Sequence, residues 1–162
     1  LPFFSETTAR LSTDKLLMKE TFIRNGIPCA NGQVVEKVPA TFGFPVVVKP
    51  RDNSGSRGVR LCLSESDCEK AIEDALSYSK EKSVLVEEFV EGDEYSVESL
   101  HFNNESHVIQ ITEKQTGPLP YFVETSHIQP ASLSNSDENK IRILVEKIAS
   151  CFQFVNCASH IN

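Results

Sequence analysis

Phe44-Pro45-Val46-Val47-Val48-Lys49-Pro50, followed by Arg51-Asp52-Asn53-Ser54-Gly55-Ser56-Arg57-Gly58-Val59, is the stretch on which the fold turns. A β-branched run of this kind packs as a strand. It ends in a polar, glycine-bearing loop, and Val59 to Leu63 reads as the return strand of a hairpin with a long tip. The backbone N–H groups of such a loop can converge on phosphate oxygens, because glycine permits close approach and unusual dihedrals. Read alone, Gly55-Ser56-Arg57-Gly58 serves at least as well as a flexible hairpin tip. The loop lacks G-x-x-x-x-G-K-[ST] and lies between two strands rather than before a helix, which excludes a Walker loop and a Rossmann fingerprint. Lys49 closes an apolar strand, a costly place for an ammonium unless it finds an anion or water. A phosphate and a snorkelling side chain are both open to it.

Upstream, a helix is expected from about Thr13 to Asn25, capped by Ser12 or Thr13, favoured by Asp14 and stopped by a left-handed Gly26. Leu16, Leu17, Phe22 and Ile23 supply its buried stripe, and Ile27-Pro28 forces an extended exit. Downstream, Ser66 with Glu69 reads as a capping box for a helix carrying Cys68, Ala71, Ile72, Ala75 and Leu76. Val84-Leu85-Val86 makes a third strand. Strands near 94–101 and 107–112 pair across Asn103-Asn104, and a Gly/Pro-rich loop spans Gln115 to Pro120. A last amphipathic helix presents Ile141, Leu144, Val145, Ile148, Ala149 and Phe152, and a short strand leads toward Asn162. The class is α+β, with a β-β-α-β unit from Phe44 to Glu88.

The acidic run Glu87-Glu88-Phe89-Val90-Glu91-Gly92-Asp93-Glu94 follows the third strand. As a crossover between lobes it would offer free backbone groups to a flat heteroaromatic edge, with Phe89 and Val90 as apolar walls. Glu94 could then accept bonds from vicinal hydroxyls, as an acid does for ribose in dinucleotide sites. A solvated acidic turn is the other reading.

Composition bounds the rest. The chain has 162 residues and a net charge of 16 − 23 = −7, which argues against a nucleic-acid binder. No apolar run approaches the roughly 20 residues that span a bilayer. No leader opens the chain, and a cytoplasmic protein is expected. Cys29, Cys62, Cys68, Cys151 and Cys157 lack C-x-x-C spacing and read as reduced, mostly buried thiols. His101, His107, His127 and His160 form no H-x-x-x-H pair, so zinc has no support. The chain opens on Leu1 and stops at Asn162 after an apolar approach, so a fragment of something longer is expected. Missing neighbour strands would bare an edge and favour a homodimer.

In order and spacing, these pieces resemble the ATP-grasp superfamily. The matching stretches are Thr13-Asp14-Lys15 opening a helix that ends Asn25-Gly26-Ile27-Pro28, the strand Phe44 to Pro50, Asn53 to Val59, and Val86 to Glu94. Within it the chain is most similar to the carboxylate–amine ligase branch, with its amino-acid ligases and relatives of carbamoyl-phosphate synthetase and biotin carboxylase. The resemblance implies a small β-β-α-β lid lobe over 43–90, preceded by a helix and linker over 1–42. An incomplete antiparallel sheet lobe with flanking helices would follow over 91–162. It implies ATP and Mg²⁺ as cofactors, carboxylate and amine substrates, and an acyl phosphate between them. Lys15 and Lys49 would reach the phosphates, and Ser54, Gly55, Ser56, Arg57 and Gly58 would close over them. The backbone of Glu88 and Val90, with Glu87, would read adenine. Glu94 would accept from ribose, and Lys114 would be a further phosphate contact. His127 lies in a segment like one preceding the last helix of amino-acid ligases, with no role assigned to it or to His160. Asn162 falls where the first magnesium acid is expected, as a neutral amide, and no following Glu-x-Asn strand is in the sequence. A nucleotide-binding module without catalysis is therefore the alternative expectation.

Overall fold

The computed structural model describes residues 5–35, 43–103 and 105–162. Two antiparallel four-stranded sheets are each covered on one face by a helix. The elements in chain order are α1 (Glu6–Thr13), α2 (Lys15–Arg24), β1 (Gly32–Val35), β2 (Val46–Pro50), β3 (Arg60–Cys62), α3 (Glu65–Tyr78), β4 (Val84–Glu88), β5 (Glu94–Phe102), β6 (Glu105–Thr116), β7 (Glu124–Ile128), α4 (Asn135–Phe152) and β8 (Cys157–Ile161).

The first sheet has the order β1-β4-β2-β3. Strand alternation sends Val46, Val48, Val84 and Val86 to one face, where they bury against Cys68, Ala71, Ile72 and Ala75 of α3. The same alternation puts Val47, Lys49, Leu85 and Glu87 on the other face. The second sheet runs β7-β6-β5-β8. Val97 and Ile111 pack with Val145, Ile141 and Ile161 on its α4 side, which leaves Glu94, Ser96, Thr112 and Lys114 together on the opposite face. The far end of α4 joins the N-terminal helices, with Ile148 and Phe152 packed against Ile27, Leu11, Met18 and Phe22. Each sheet thus turns one apolar face to its helix and carries charged side chains on the other, Lys49 and Glu87 in the first sheet and Glu94 and Lys114 in the second.

Several boundaries differ from the sequence reading. The expected N-terminal helix begins at Lys15, because the Asp14 carboxylate accepts from the N–H groups of Leu16 and Leu17 and caps it. A separate helix, α1, precedes it. The cap of α3 is Ser64 rather than Ser66: its Oγ accepts from Asp67 N at 3.2 Å and lies 2.9 Å from the Asp67 carboxylate. Strand β6 runs on through Thr116, past the expected start of a loop, and β1 and β7 add strands that no strong periodicity announced. Asn103, at φ +53°, turns the β5–β6 hairpin as expected, while Asn104 of that turn lies outside the described residues. Gly26 has φ +60°, the left-handed stop anticipated for the helix. All five cysteines are free; Cys62 and Cys68 are buried and Cys29 is exposed. Burial pushes the Cys62 thiol up to about 12, which makes it inert. Among the described residues no helix is long and apolar enough to cross a membrane.

Asp14 carries two duties, capping α2 and holding Arg51 by a two-point contact of 2.8 and 2.6 Å. The Arg51 bond, ahead of the capping bonds, holds its carboxyl below the ordinary 3.8. Asp14→Ala is expected to lose about 1–3 kcal/mol in urea unfolding, from a lost cap and a lost charge-assisted pair. Because the folded carboxyl is the stronger acid, this stability is fully present above the ordinary value and disappears as pH falls through the folded one. The difference between wild type and Asp14→Asn should therefore close in strong acid, and a gap that persists there would refute the ionic part.

Candidate functional site

The glycine loop is rooted at both ends. At its start, Arg51 is clamped by Asp14, and the Arg51 carbonyl accepts from Lys15 N at 3.0 Å. Asp52 turns inward, accepting from Ser79 Oγ at 2.6 Å, Lys80 N at 3.0 Å and Glu81 N at 3.3 Å. At its end, Gly58 has φ +73° and lies against Pro50, Ala75 and Tyr78. Between these anchors Gly55 (φ +70°) and Ser56 (φ +54°) are left-handed, which turns the backbone sharply. Arg57 folds back onto the loop, donating to Ser54 O and Asn53 Oδ1.

Near this loop two ammonium groups meet one carboxylate, and a third reaches the loop itself. Lys49 pairs with Glu87 Oε2, and Lys19, which the sequence reading did not single out, lies 2.7 Å from Glu87 Oε1. Lys15 donates to the carbonyl of Asn53. Burial, and then the neighbouring charge of Lys49, draws the Lys15 ammonium below the ordinary lysine value. Asp14 and Asp52 are committed elsewhere, so the cluster holds more positive than negative charge. The signal for Lys19 was present: it stands one helical turn after Lys15, on the same face of α2.

The hinge follows directly. Glu88 is pinned to Asn31: its carboxylate accepts from Asn31 N at 2.8 Å and Nδ2 at 3.0 Å, and its N–H donates to Asn31 O. Phe89 N donates to Pro45 O. Val90 has an exposed side chain and makes no backbone hydrogen bond among the described residues. Of the expected peptide edge, the Glu88 N–H is engaged by Asn31, and the Val90 peptide makes no backbone bond among the described residues.

Across the hinge, the register sets Lys114 opposite Glu94 on one side and His127 on the other. The buried Lys114 ammonium lies 2.6 Å from Glu124, 3.8 Å from Glu94 and 3.3 Å from Asn162 Oδ1. Glu124 also takes His127 at 2.9 Å, and Lys114 foremost, then His127, holds its carboxyl below the ordinary range. A cavity of about 420 Å³ opens here, lined by Gly92, Asp93, Glu94, Lys114 and Thr125 among others. His160 bonds to Glu98 at 2.9 Å on the same face. Sequence reasoning missed Glu124, whose strand β7 is exposed throughout.

The two sheets are tied at a second point besides the hinge. Leu61 N donates to Pro120 O at 2.9 Å, the Arg60 guanidinium lies 5.8 Å from the Tyr121 ring centre, and the Phe89 and Phe122 rings stand 6.3 Å apart. These contacts join the glycine-loop sheet to the sheet that carries Lys114. Among the described residues no cluster of three His, Cys, Asp or Glu side chains could hold a metal. Asn162 offers one neutral oxygen, directed at an ammonium.

Comparison with known proteins agrees with this architecture. The sequence pattern of the family described as ATP-grasp domain matches residues 42–162. A D-alanine–D-alanine ligase of Gloeobacter violaceus is 34% identical over 100 residues, covering 56% of this chain and 32% of the relative. The chain thus spans about a third of the length of that curated relative. The L-amino acid ligase of Bacillus licheniformis superposes with a TM-score of 0.85 over 99% of this chain and 38% of its own, at 23% identity. The biotin carboxylase domain of Hydrogenobacter thermophilus 2-oxoglutarate carboxylase, solved with MgADP, ADP and bicarbonate, gives a TM-score of 0.77. That match covers 93% of this chain and 36% of the other, at 21% identity.

The two loop glycines should behave differently. A Cβ on Gly58 would lie 2.9 Å from both Pro50 Cγ and Tyr78 Cδ2, whereas one on Gly55 would meet nothing within 4 Å. Gly55→Ala is expected to cost about 1–2 kcal/mol of left-handed strain. Gly58→Ala should cost about 2–4 kcal/mol, adding overpacking to the same strain. Urea midpoints of the two variants test this, and equal midpoints would refute it.

Proposed function

Because this chain belongs to the ATP-grasp family, we propose that it forms the nucleotide-holding part of an ATP-dependent ligase that activates a carboxylate as an acyl phosphate for attack by an amine. The observation that carries the reading is the surplus of ammonium groups, Lys15, Lys19 and Lys49 around Glu87, beside a rooted glycine loop. Lys15 and Lys49 repel each other, and a phosphate chain relieves that repulsion. In this reading both lysines hold the phosphates of ATP, and the N–H groups of Ser54 to Gly58 cover them. The unpaired peptide of Val90, next to the pinned Glu88, pairs with the purine edge. Glu94 accepts from the ribose hydroxyls, and Lys114 faces the far end of the phosphate chain. Residues 43–90 act as a lid against 91–162, with 1–42 carrying the helix that bears Lys15.

In the reaction so proposed, a substrate carboxylate oxygen attacks the γ-phosphorus. A new O–P bond forms and the bond to ADP breaks. The amine nitrogen then attacks the acyl carbon, phosphate leaves with the C–O electron pair, and the nitrogen loses a proton. The residues described supply binding, orientation and positive charge, which is most of what phosphoryl transfer asks of a protein. Magnesium, bound together with the nucleotide, would add positive charge at its phosphates. A second reading, a nucleotide-binding module without turnover, is favoured by one observation: Asn162 is a neutral amide engaged by Lys114.

The first test is thermal unfolding with ADP or ATP. A ligand that binds only the folded chain, at 100 times its Kd, should add about 2.7 kcal/mol. Lys49→Ala should weaken ADP binding by about tenfold or more, as removal of a charge-assisted contact does. No stabilisation by either nucleotide at millimolar concentration would overturn the reading. The second test uses pH. Lys15 discharges at a pH below the ordinary lysine value of 10.5. ADP affinity should therefore fall as pH rises toward that value, and Lys15→Met should remove this part of the dependence. Calorimetric titration of ADP on both proteins measures it, and a profile unchanged by the substitution would exclude Lys15 from the phosphate site.

A further inference from the structure

Lys19 is the most enclosed of the clustered lysines, 6% exposed against 27% for Lys49. Its ammonium donates to the carbonyl of Ala30 and lies 2.7 Å from Glu87 Oε1. The carboxylate it meets is built in. Gly32 sits opposite Glu87 in the β1–β4 pair, and a Cβ there would come within 2.5 Å of Glu87 Cγ. The other oxygen of Glu87 is held by Lys49. Two ammonium groups thus share one carboxylate, and only the more exposed of them stands beside the glycine loop.

We infer that Lys19 is a positioning residue that keeps Glu87 paired, so that Lys49 is free to pass from the carboxylate to an incoming phosphate. The inference rests on the nucleotide reading above. When Lys49 turns to a phosphate, Glu87 would be left buried and unpaired were Lys19 not already on its other oxygen, and unpaired buried charge is strongly disfavoured. Without Lys19, Lys49 is the only cation paired with Glu87 among the described residues, and the two hold each other. Phosphate affinity then has to compete with an ion pair that the native arrangement leaves half-satisfied. Lys15 and Lys19, one turn apart on α2, divide the work: one faces the loop, the other guards the counter-charge.

The experiment measures Kd for ADP and for adenosine on the 162-residue chain, wild type and variants, and compares the ADP preference, Kd(adenosine)/Kd(ADP). A structural role for Lys19 would weaken both ligands together and leave the ratio alone. Lys19→Met is expected to lower the ratio about tenfold, as loss of a buried charge partner would. Lys19→Gln, which can still donate to the Ala30 carbonyl and so protects the fold, should lower it similarly. Lys19→Met/Glu87→Gln, in which nothing competes for Lys49, should restore it. An ADP preference kept in Lys19→Gln, or a loss that persists in the double variant, overturns this inference while leaving the nucleotide reading standing. A wild-type chain with no preference for ADP overturns the nucleotide reading, and this inference with it.

Discussion

The carboxylate of Glu87, gripped by Lys19 from the helix and by Lys49 from the neighbouring strand, constrains more of this molecule than any other contact. A buried acid in the middle of a sheet is tolerable only when each oxygen finds a donor. Meeting that condition fixes three things at once. Helix α2 must dock with its fifth residue over β4, β1 must carry glycine where it faces Glu87, and β2 must pair in the register that sets Val47 beside Glu87. A shift of one residue in β2 would turn Lys49 into the valine core against α3, and the sheet would lose both its ion pair and its apolar face.

The loop after β2 depends on the same helix. Asp14 begins α2 and ends on Arg51, and Lys15 reaches the loop through both its N–H and its ammonium. The loop's own acid, Asp52, is consumed by Ser79 and the backbone after α3. Its arginines divide accordingly: Arg51 is structural, and Arg57 lies along the loop and is exposed. A loop with fixed ends and left-handed turns in its middle presents its N–H groups in a defined direction, which is what separates an anion cradle from a slack hairpin tip.

How much of this the sequence disclosed follows from the range of the forces involved. Strands β2 and β4 were legible because valine-rich runs favour extended backbone, and Lys49 at the end of one called for an anion or water. That anion, Glu87, was in view only as part of a hinge, since nothing local says which acid crosses to which lysine. The cap of α3 slipped by two residues because Ser64 and Ser66 both precede an acid at the third position, Asp67 and Glu69, and tertiary packing chose between equal local signals. β1 and β7 escaped because an edge strand pairs on one side only, and with β1 partly and β7 fully exposed neither pattern alternates. Glu124 was missed with β7, though its bond to Lys114 organises the second sheet's polar face.

The two polar faces are electrostatically unlike, and that difference bears on the choice between a ligase and a silent binding module. Around Glu87 positive charge is in excess. Around Lys114 two carboxylates, Glu94 and Glu124, surround a single lysine, so that face is balanced or negative before any ligand arrives. A phosphate chain laid between them is drawn to the first sheet and meets at the second an ammonium already committed to Glu124. Catalysis of phosphoryl transfer needs charge aimed at the far phosphate, beyond what binding needs. In the proposed reading that charge is Lys114, which pairs in this structure with Glu124, itself bonded to His127. Position 162 sharpens the point: a carboxylate there would compete with Glu124 for the ammonium or recruit a cation, whereas the amide of Asn162 accepts one weak bond and leaves Lys114 to Glu124. Under the proposed function, binding would rest on the first sheet's lysines, and turnover would depend on freeing Lys114 from Glu124.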